Sequence, residues 1–356
     1  MRHPYVPSFG YWVPLPPAVK LALFGELIVD KLLGIDIGGT KVAAGLVNHA
    51  GEIVFKTRNP MNPRGTAEEG LAAVKTAIDA GLKEARGDAD GIGIISPGPL
   101  DPKAGIVLNP PNLPCWRNYH LVERLAETYK MPVHLDNDAN AAGLAEAIWG
   151  AGRGYKEVFY ATLGTGVGTG IILDRHIFYG RTGAAAEGGH MTIDYRAGKF
   201  CKCGKPGCIE ALVSGSGIAR RAREKARAAG SIAQPLIEMA GGNVDNITGE
   251  VIGKAWHAGD QLATEILEET ADILAVWLGN IIDLLEPEVI VVGGGVSELM
   301  EGWFDHVRRQ VPQWSVNQRA SEIPIIIAKY RADAGIAGAA ALSLQAGTLV
   351  GAAAER

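Results

Sequence analysis

Two hydrophobic rhythms alternate along the chain. Short continuous or every-second-residue apolar runs mark strands, while apolar positions recurring every three and four residues mark helices. One strand pattern occurs twice. "KLLGIDIGGTKVAAGLVNHAGEIVFKTR" and "EVFYATLGTGVGTGIILDRHIFYGR" each read as an apolar strand, a Gly/Thr turn, a second strand, a polar turn and a third strand. The polar turns are Asn48 to Gly51 and Asp174 to His176. Single strands are expected at 91–96, 132–138, 289–294 and 324–330. Helical spacing covers 67–85, 119–129, 140–150, 216–230 and Asp260 to Leu285, and "GIAGAAALSLQAG" reads as a terminal helix with small residues on its packing face. Strands alternating with helices predict an α/β architecture. The near-duplication predicts two related α/β domains joined near Gly150 to Lys156.

Composition narrows the classes. The chain has 356 residues, 47% of them hydrophobic and 21% charged, as in an ordinary globular protein large enough for two domains. A net charge of −5 gives no electrostatic footprint for nucleic acid or an anionic membrane. The basic run 219–230 has its charges at helical spacing and reads as a solvated helix face. Residues 1–31 are rich in Pro and aromatics, and Lys20 and Glu26 interrupt their apolar run, so they read as an N-terminal extension rather than a membrane span. No membrane span is expected elsewhere. Four cysteines make no disulfide framework, and their clustering points to metal or catalysis in a reducing cytoplasm.

The glycine turns carry the first chemistry. "DIGGTK" (36–41) joins two strands, whereas the dinucleotide fingerprint and the Walker loop both open a helix. Its glycines can still aim backbone N–H groups at an anion. Thr40 and Lys41 add a hydroxyl and a cation, and Asp36 could position Mg²⁺ through water. The simpler reading is a tight hairpin with Asp36 a surface carboxylate. "LGTGVGTG" (163–170) repeats the context, and "VVGGGV" (291–296) could admit an adenosine moiety along bare backbone. Together the three turns outline a nucleotide held between two domains.

"HLDNDANAA" (134–142) places polar side chains at a strand end before a helix. Phosphoryl transfer to an alcohol needs a carboxylate to orient the hydroxyl and take its proton, and Asp136 and Asp138 are the candidates. Capping of the following helix is the competing role, expected for Asp136 or Asn140. "SPGPLDP" (96–102) forms a rigid loop after a buried strand. Cys201, Cys203 and Cys208 have C-x-C-x4-C spacing with His190 upstream, a closed tetrahedral set for structural Zn²⁺. Four protein ligands leave no open position, so such a metal would fix a loop rather than act as a Lewis acid.

In their order these motifs resemble the actin-like ATPase superfamily of sugar kinases, heat-shock chaperones and actin. Over roughly residues 32 to 345 the finer pattern resembles the ROK family (repressors, open reading frames, kinases). Within it, "NPPNLPCWRNYHL" (109–121) and "EGGHMTI" (187–193) look like the bacterial ATP-dependent glucokinases. The resemblance implies two related actin-like ATPase (ribonuclease H-like) domains with a central cleft. The first would be 32–150 joined by the C-terminal helix 336–348, and the second, larger one 151–335 with the zinc site. It implies ATP-dependent phosphorylation of glucose at the 6-hydroxyl, with Asp138 as base. The sugar would meet Gly98, Asn112, Asn137, Asp138, Glu187, His190 and Glu210. Mg-ATP would meet Asp36, Gly38, Gly39, Thr40, Lys41, Gly164, Thr165, Gly166, Gly293, Gly294 and Gly295, while His190 with Cys201, Cys203 and Cys208 would hold Zn²⁺. Alternatives are another hexose or N-acetylhexosamine (fructose, mannose, allose, N-acetylmannosamine), polyphosphate as donor, or a sugar-responsive regulator. A cytoplasmic homodimer or homotetramer is the implied state.

Overall fold

The computed structural model describes residues 31–87, 89–196 and 201–345. The expected N-terminal extension, all but its last residue, lies outside the described residues, as do positions 346–348 of the terminal helix. Strands β1 (Lys31–Ile37), β2 (Lys41–Asn48) and β3 (Ile53–Pro60) form an antiparallel meander followed by helix α1 (Ala67–Glu84). Thr66 and Glu69 close a capping box at the start of α1. Strand β4 (Ala89–Ile95) runs parallel to β1, and a small hairpin of β5 (Leu100–Asp101) and β6 (Ile106–Val107) follows. Helix α2 (Leu121–Tyr129) leads into β7 (Val133–Asp136), which completes a sheet of order β3-β2-β1-β4-β7.

Helix α3 (Asp138–Ile148) carries the chain into the second half, where β8 (Glu157–Leu163), β9 (Val167–Leu173) and β10 (His176–Ile177) repeat the meander. Helices α4 (Ile209–Val213), α5 (Gly215–Ala228), α6 (Gln234–Met239), α7 (Gly249–His257) and α8 (Gln261–Leu285) come next. Then β11 (Val289–Gly293), α9 (Gly295–Leu299), α10 (Phe304–Gln310), β12 (Ile325–Ile327) and α11 (Ala334–Leu342) close the described chain. The second sheet, β10-β9-β8-β11-β12, has the topology of the first. The duplicated sequence pattern is therefore a duplicated sheet. Helices α4, α6, α7, α9 and α10 are not among the expected elements, since runs of five to nine residues are too short for an apolar period to repeat.

Between the sheets lies a core drawn from both halves, with α3 and α11 at its centre. Small residues let these elements approach. A Cβ on Gly93 would sit 1.7 Å from the Ala339 carbonyl oxygen, and one on Gly34 would sit 2.3 Å from that of Ile336. A Cβ on Gly338 would meet the backbone of Ala141 at 2.7 Å. Close backbone approach, rather than turn geometry, explains these glycines inside strands and helices. The two places where the chain passes between halves share one buried carboxylate: Glu146 accepts from Ala151 N at 2.7 Å and from Tyr330 N at 2.9 Å.

The basic helix departs from expectation. Arg221 is 7% exposed and donates to the carbonyls of Leu212 and Ile266 and to the Thr270 hydroxyl. Arg220 donates to Ala211 O and Arg223 to Ile247 O. Much of this face is thus spent on the carbonyl groups of α4 and its neighbours. Among the described residues, no helix is long and apolar enough to cross a membrane.

Candidate active site

Asp138 is the first residue of α3, directly after the C-terminal end of β7. Ligand sites in open α/β sheets gather at such ends because loops and helix N-termini meet there. Asn137 is the N-cap: its Oδ1 accepts from Asn140 N at 2.8 Å, leaving the amide nitrogen available to the cavity that Asn137 lines. The cap is thus Asn137 rather than Asp136 or Asn140, the two residues expected from sequence. Asp136 is fully buried and accepts from Tyr179 Oη at 2.6 Å, Asn137 N at 2.7 Å and Asn140 Nδ2 at 3.1 Å. Those bonds commit Asp136 to holding the loop, whereas the Asp138 side chain is open to the cavity it lines. Asp138 is exposed on that cavity side, but the protein packed around its carboxyl limits hydration and holds it above its usual range, against a bond from Ala139 N at 2.9 Å.

A cavity of about 280 Å³ opens beside Asp138, between the two halves. Gly98, Asn137 and Asp138 line it from the first half, and Gly168, Thr169 and Glu187 from the second. His190, Glu210 and Asn112 stand outside this lining. His190 nevertheless touches its edge, with Nε2 3.9 Å from the Glu187 carboxylate. Asn112 packs against the first glycine turn, its carbonyl oxygen 3.2 Å from where a Gly39 Cβ would be.

Glu210 faces elsewhere. One carboxylate oxygen accepts from Val167 N at 3.0 Å and the other from the Cys201 thiol at 3.2 Å. It lines a second cavity of about 270 Å³ with Thr165, Gly166, Lys202, Ser216 and Arg220. The segment 165–169 therefore runs from one cavity to the other, with Thr165 and Gly166 lining the second and Gly168 and Thr169 the first.

The second and third glycine turns converge beside this second cavity. Gly215 N donates to Gly164 O at 2.8 Å, and a Cβ on Gly215 would be 3.6 Å from Val296. Gly294 has φ +87° and a Cβ there would strike Leu163 O at 2.4 Å, so both conformation and space demand glycine. Gly295 opens α9 with free space around it, and Gly293 ends β11. The first turn, with Gly38, Gly39, Thr40 and Lys41, lines neither cavity, and Gly38 N closes the hairpin by donating to Lys41 O at 2.9 Å. Asp36 is no surface carboxylate. It is half-buried against the N-terminus of α11, where a Gly335 Cβ would fall 2.5 Å from its Oδ2. Burial and then the charge of Asp138 raise its pKa, with Lys41 opposing.

The cysteine cluster assembles as spaced. One ligand atom from each of His190, Cys201, Cys203 and Cys208 lies within 4.8 Å of all the others. Cys201 Sγ is 3.6 Å from His190 Nδ1, and Cys203 Sγ is 3.6 Å from Cys208 Sγ. A tetrahedron with metal–sulfur bonds of about 2.3 Å has edges of about 3.8 Å, so the donor set and its spacing fit a closed zinc site. His190 joins this cluster through Nδ1 and faces Glu187 through Nε2.

Paired sheets of repeated topology around a two-sided cleft define the actin-like ATPase fold. The chain belongs to the ROK family, which it matches over residues 32–346. It is 34% identical over 313 residues to a glucokinase of Thermotoga maritima, covering 88% of this chain and 96% of that one. An N-acetylmannosamine kinase of Salmonella typhi is 31% identical over 311 residues, covering 87% and 97%. Among solved structures, a ROK family glucokinase from Streptomyces griseus in complex with glucose and AMPPNP aligns with a TM-score of 0.73 at 35% identity, over 88% of this chain and 99% of that one.

Proposed function

We propose that the protein is an ATP-dependent glucokinase that phosphorylates the 6-hydroxyl of glucose. The observation that carries the reading is Asp138: a carboxylate at a helix start, open to a cavity whose far wall presents Glu187. Glucose would occupy this cavity, with its 6-hydroxyl on Asp138 and vicinal hydroxyls on Glu187, Asn137 and the backbone at Gly98. The triphosphate would reach from the second cavity along Gly164, Thr165 and Gly166, with adenosine beside Gly293 to Gly295. The segment 165–169, running from one cavity to the other, is where donor and acceptor would meet.

Asp138 would orient the hydroxyl and accept its proton as the new O–P bond forms and the bond from the γ-phosphorus to the β,γ-bridging oxygen breaks, ADP leaving with that electron pair. Peptide N–H groups of the glycine turn stabilise the transferred charge. Asp36 would hold Mg²⁺ through water, an ion that would neutralise phosphate charge when bound. Closure of the halves, taken as 32–150 with the terminal helix against 151–335, would exclude water as a competing acceptor. Zn²⁺ on His190, Cys201, Cys203 and Cys208 would hold the loops bearing Glu187 and Glu210. Glu210 would reach a sugar from its place in the second cavity only by releasing Val167 N, and its role follows from the family resemblance.

A panel of sugars in a coupled ADP-release assay tests the reading. Glucose should show the highest kcat/KM, with ATP preferred to polyphosphate as donor. A higher value for N-acetylmannosamine, mannose or fructose would reassign the substrate while leaving the kinase chemistry in place.

A further inference from the structure

Thr169 is the third residue of β9, three positions after Gly166 of the glycine turn, and is 4% exposed. Alternation along β9 sends Gly168 and Gly170 against Ala139 of α3, so Thr169 faces the opposite side. On that side the segment Ala186 to His190 packs over the strand. Its glycines are needed there, since a Cβ on Gly189 would fall 1.9 Å from Val167 O. The Thr169 hydroxyl donates to Ala186 O and accepts from Gly188 N at 2.9 Å. A single side chain therefore pins the peptide groups on both sides of Glu187. Trp277 Nε1 adds a third restraint by donating to Gly188 O at 3.2 Å. Ala186 is held at φ +62°, a left-handed conformation that a residue with a Cβ adopts only when its surroundings impose it.

We infer that Thr169 is the positioning residue for Glu187: its hydroxyl fixes the backbone from which that carboxylate reaches the sugar. The inference rests on the reading of Glu187 as a sugar ligand. It assigns to this part of "GTGVGTG" a task on the acceptor side, apart from the phosphate-binding turn that precedes it. Thr169 also lines the acceptor cavity, so direct contact with the sugar is the competing account.

Four variants of the full chain separate these accounts: Thr169→Val, Thr169→Ser, Glu187→Gln and the double Thr169→Val/Glu187→Gln. Thr169→Val should raise the KM for glucose by about 10- to 100-fold, the usual effect of losing an outer-shell partner, and change the KM for ATP by less than about threefold. Thr169→Ser, which keeps the hydroxyl, should stay within about threefold of wild type. The double variant should bind glucose no worse than Glu187→Gln alone, because Thr169 acts through Glu187. Additive losses in the double variant would overturn the inference in favour of direct contact. A Thr169→Ser loss as large as that of Thr169→Val would show that the methyl matters rather than the hydroxyl, with the same result. If Glu187→Gln weakens glucose binding and Thr169→Val does not, the inference alone fails. If neither does, the sugar-site reading of Glu187 fails with it. Glucose titration calorimetry on each variant reads the same differences should turnover be too slow to measure.

Discussion

Replacing Asp138 by asparagine should remove catalysis and strengthen the fold at once. Asparagine has the same shape, and its Oδ1 can keep the bond from Ala139 N that Asp138 accepts at 2.9 Å. What disappears is the charge and the basicity. Loss of a general base slows turnover by about 10²–10⁴, or roughly 2.7–5.4 kcal/mol of barrier at 1.36 kcal/mol per tenfold. The stability effect has the opposite sign. Limited hydration raises the Asp138 pKa in the folded state, so the group favours folding below its unfolded pKa and loses that contribution as pH rises through the folded value. At neutral pH the wild type therefore carries a charge that is only partly hydrated, being open on its cavity side alone, and that the Asp138→Asn variant lacks. The substitution also relieves Asp36 of a neighbouring like charge. The variant should melt higher than wild type at pH 7, with the gap closing as pH falls. The acid limb of kcat/KM in the wild type should lie above the ordinary carboxylate range. Coupled ADP release and thermal melts across pH measure all three. Turnover within about tenfold of wild type would refute the base assignment, and a lower melting temperature at pH 7 would refute the desolvation reasoning.

Three further outcomes are expected. Purified protein should carry about one zinc per chain by elemental analysis, and Cys203→Ser should lose it and weaken glucose more than ATP, since His190 ties the cluster directly to Glu187, whereas of the four ligand residues only Cys201 lines the second cavity. Equal weakening of both substrates would mean that the cluster supports the whole fold. Gly93→Val should destabilise by about 3 kcal/mol or prevent folding, because its Cβ would fall 1.7 Å from a backbone oxygen that cannot move aside. Arg221→Ala should destabilise by about 1–3 kcal/mol in chemical denaturation, as the Leu212 carbonyl loses this donor and Ile266 O keeps only its bonds from α8, the Thr270 hydroxyl among them.

The sequence alone determined whatever is local. Strand–turn–strand repeats, the C-x-C-x4-C spacing and the carboxylate before a helix all depend on neighbours within a few residues, and each took the local form expected of it. The sequence also located helix α1 and the long α8 almost to the residue, because their apolar period is sustained over many turns. Tertiary structure decided what depends on a distant partner. Arg221 reads as one more surface charge until the carbonyls of α4 and α8 close around it. Asp136 and Asp138 are two residues apart and chemically identical, and only Tyr179, brought from 43 positions away, commits one of them to structure. Thr169 belongs by sequence to a glycine turn. The strand register turns its hydroxyl away from α3 and toward Ala186 and Gly188. A side chain's identity is written in the chain, but the face it presents, and to which loop, is set by how two sheets pack.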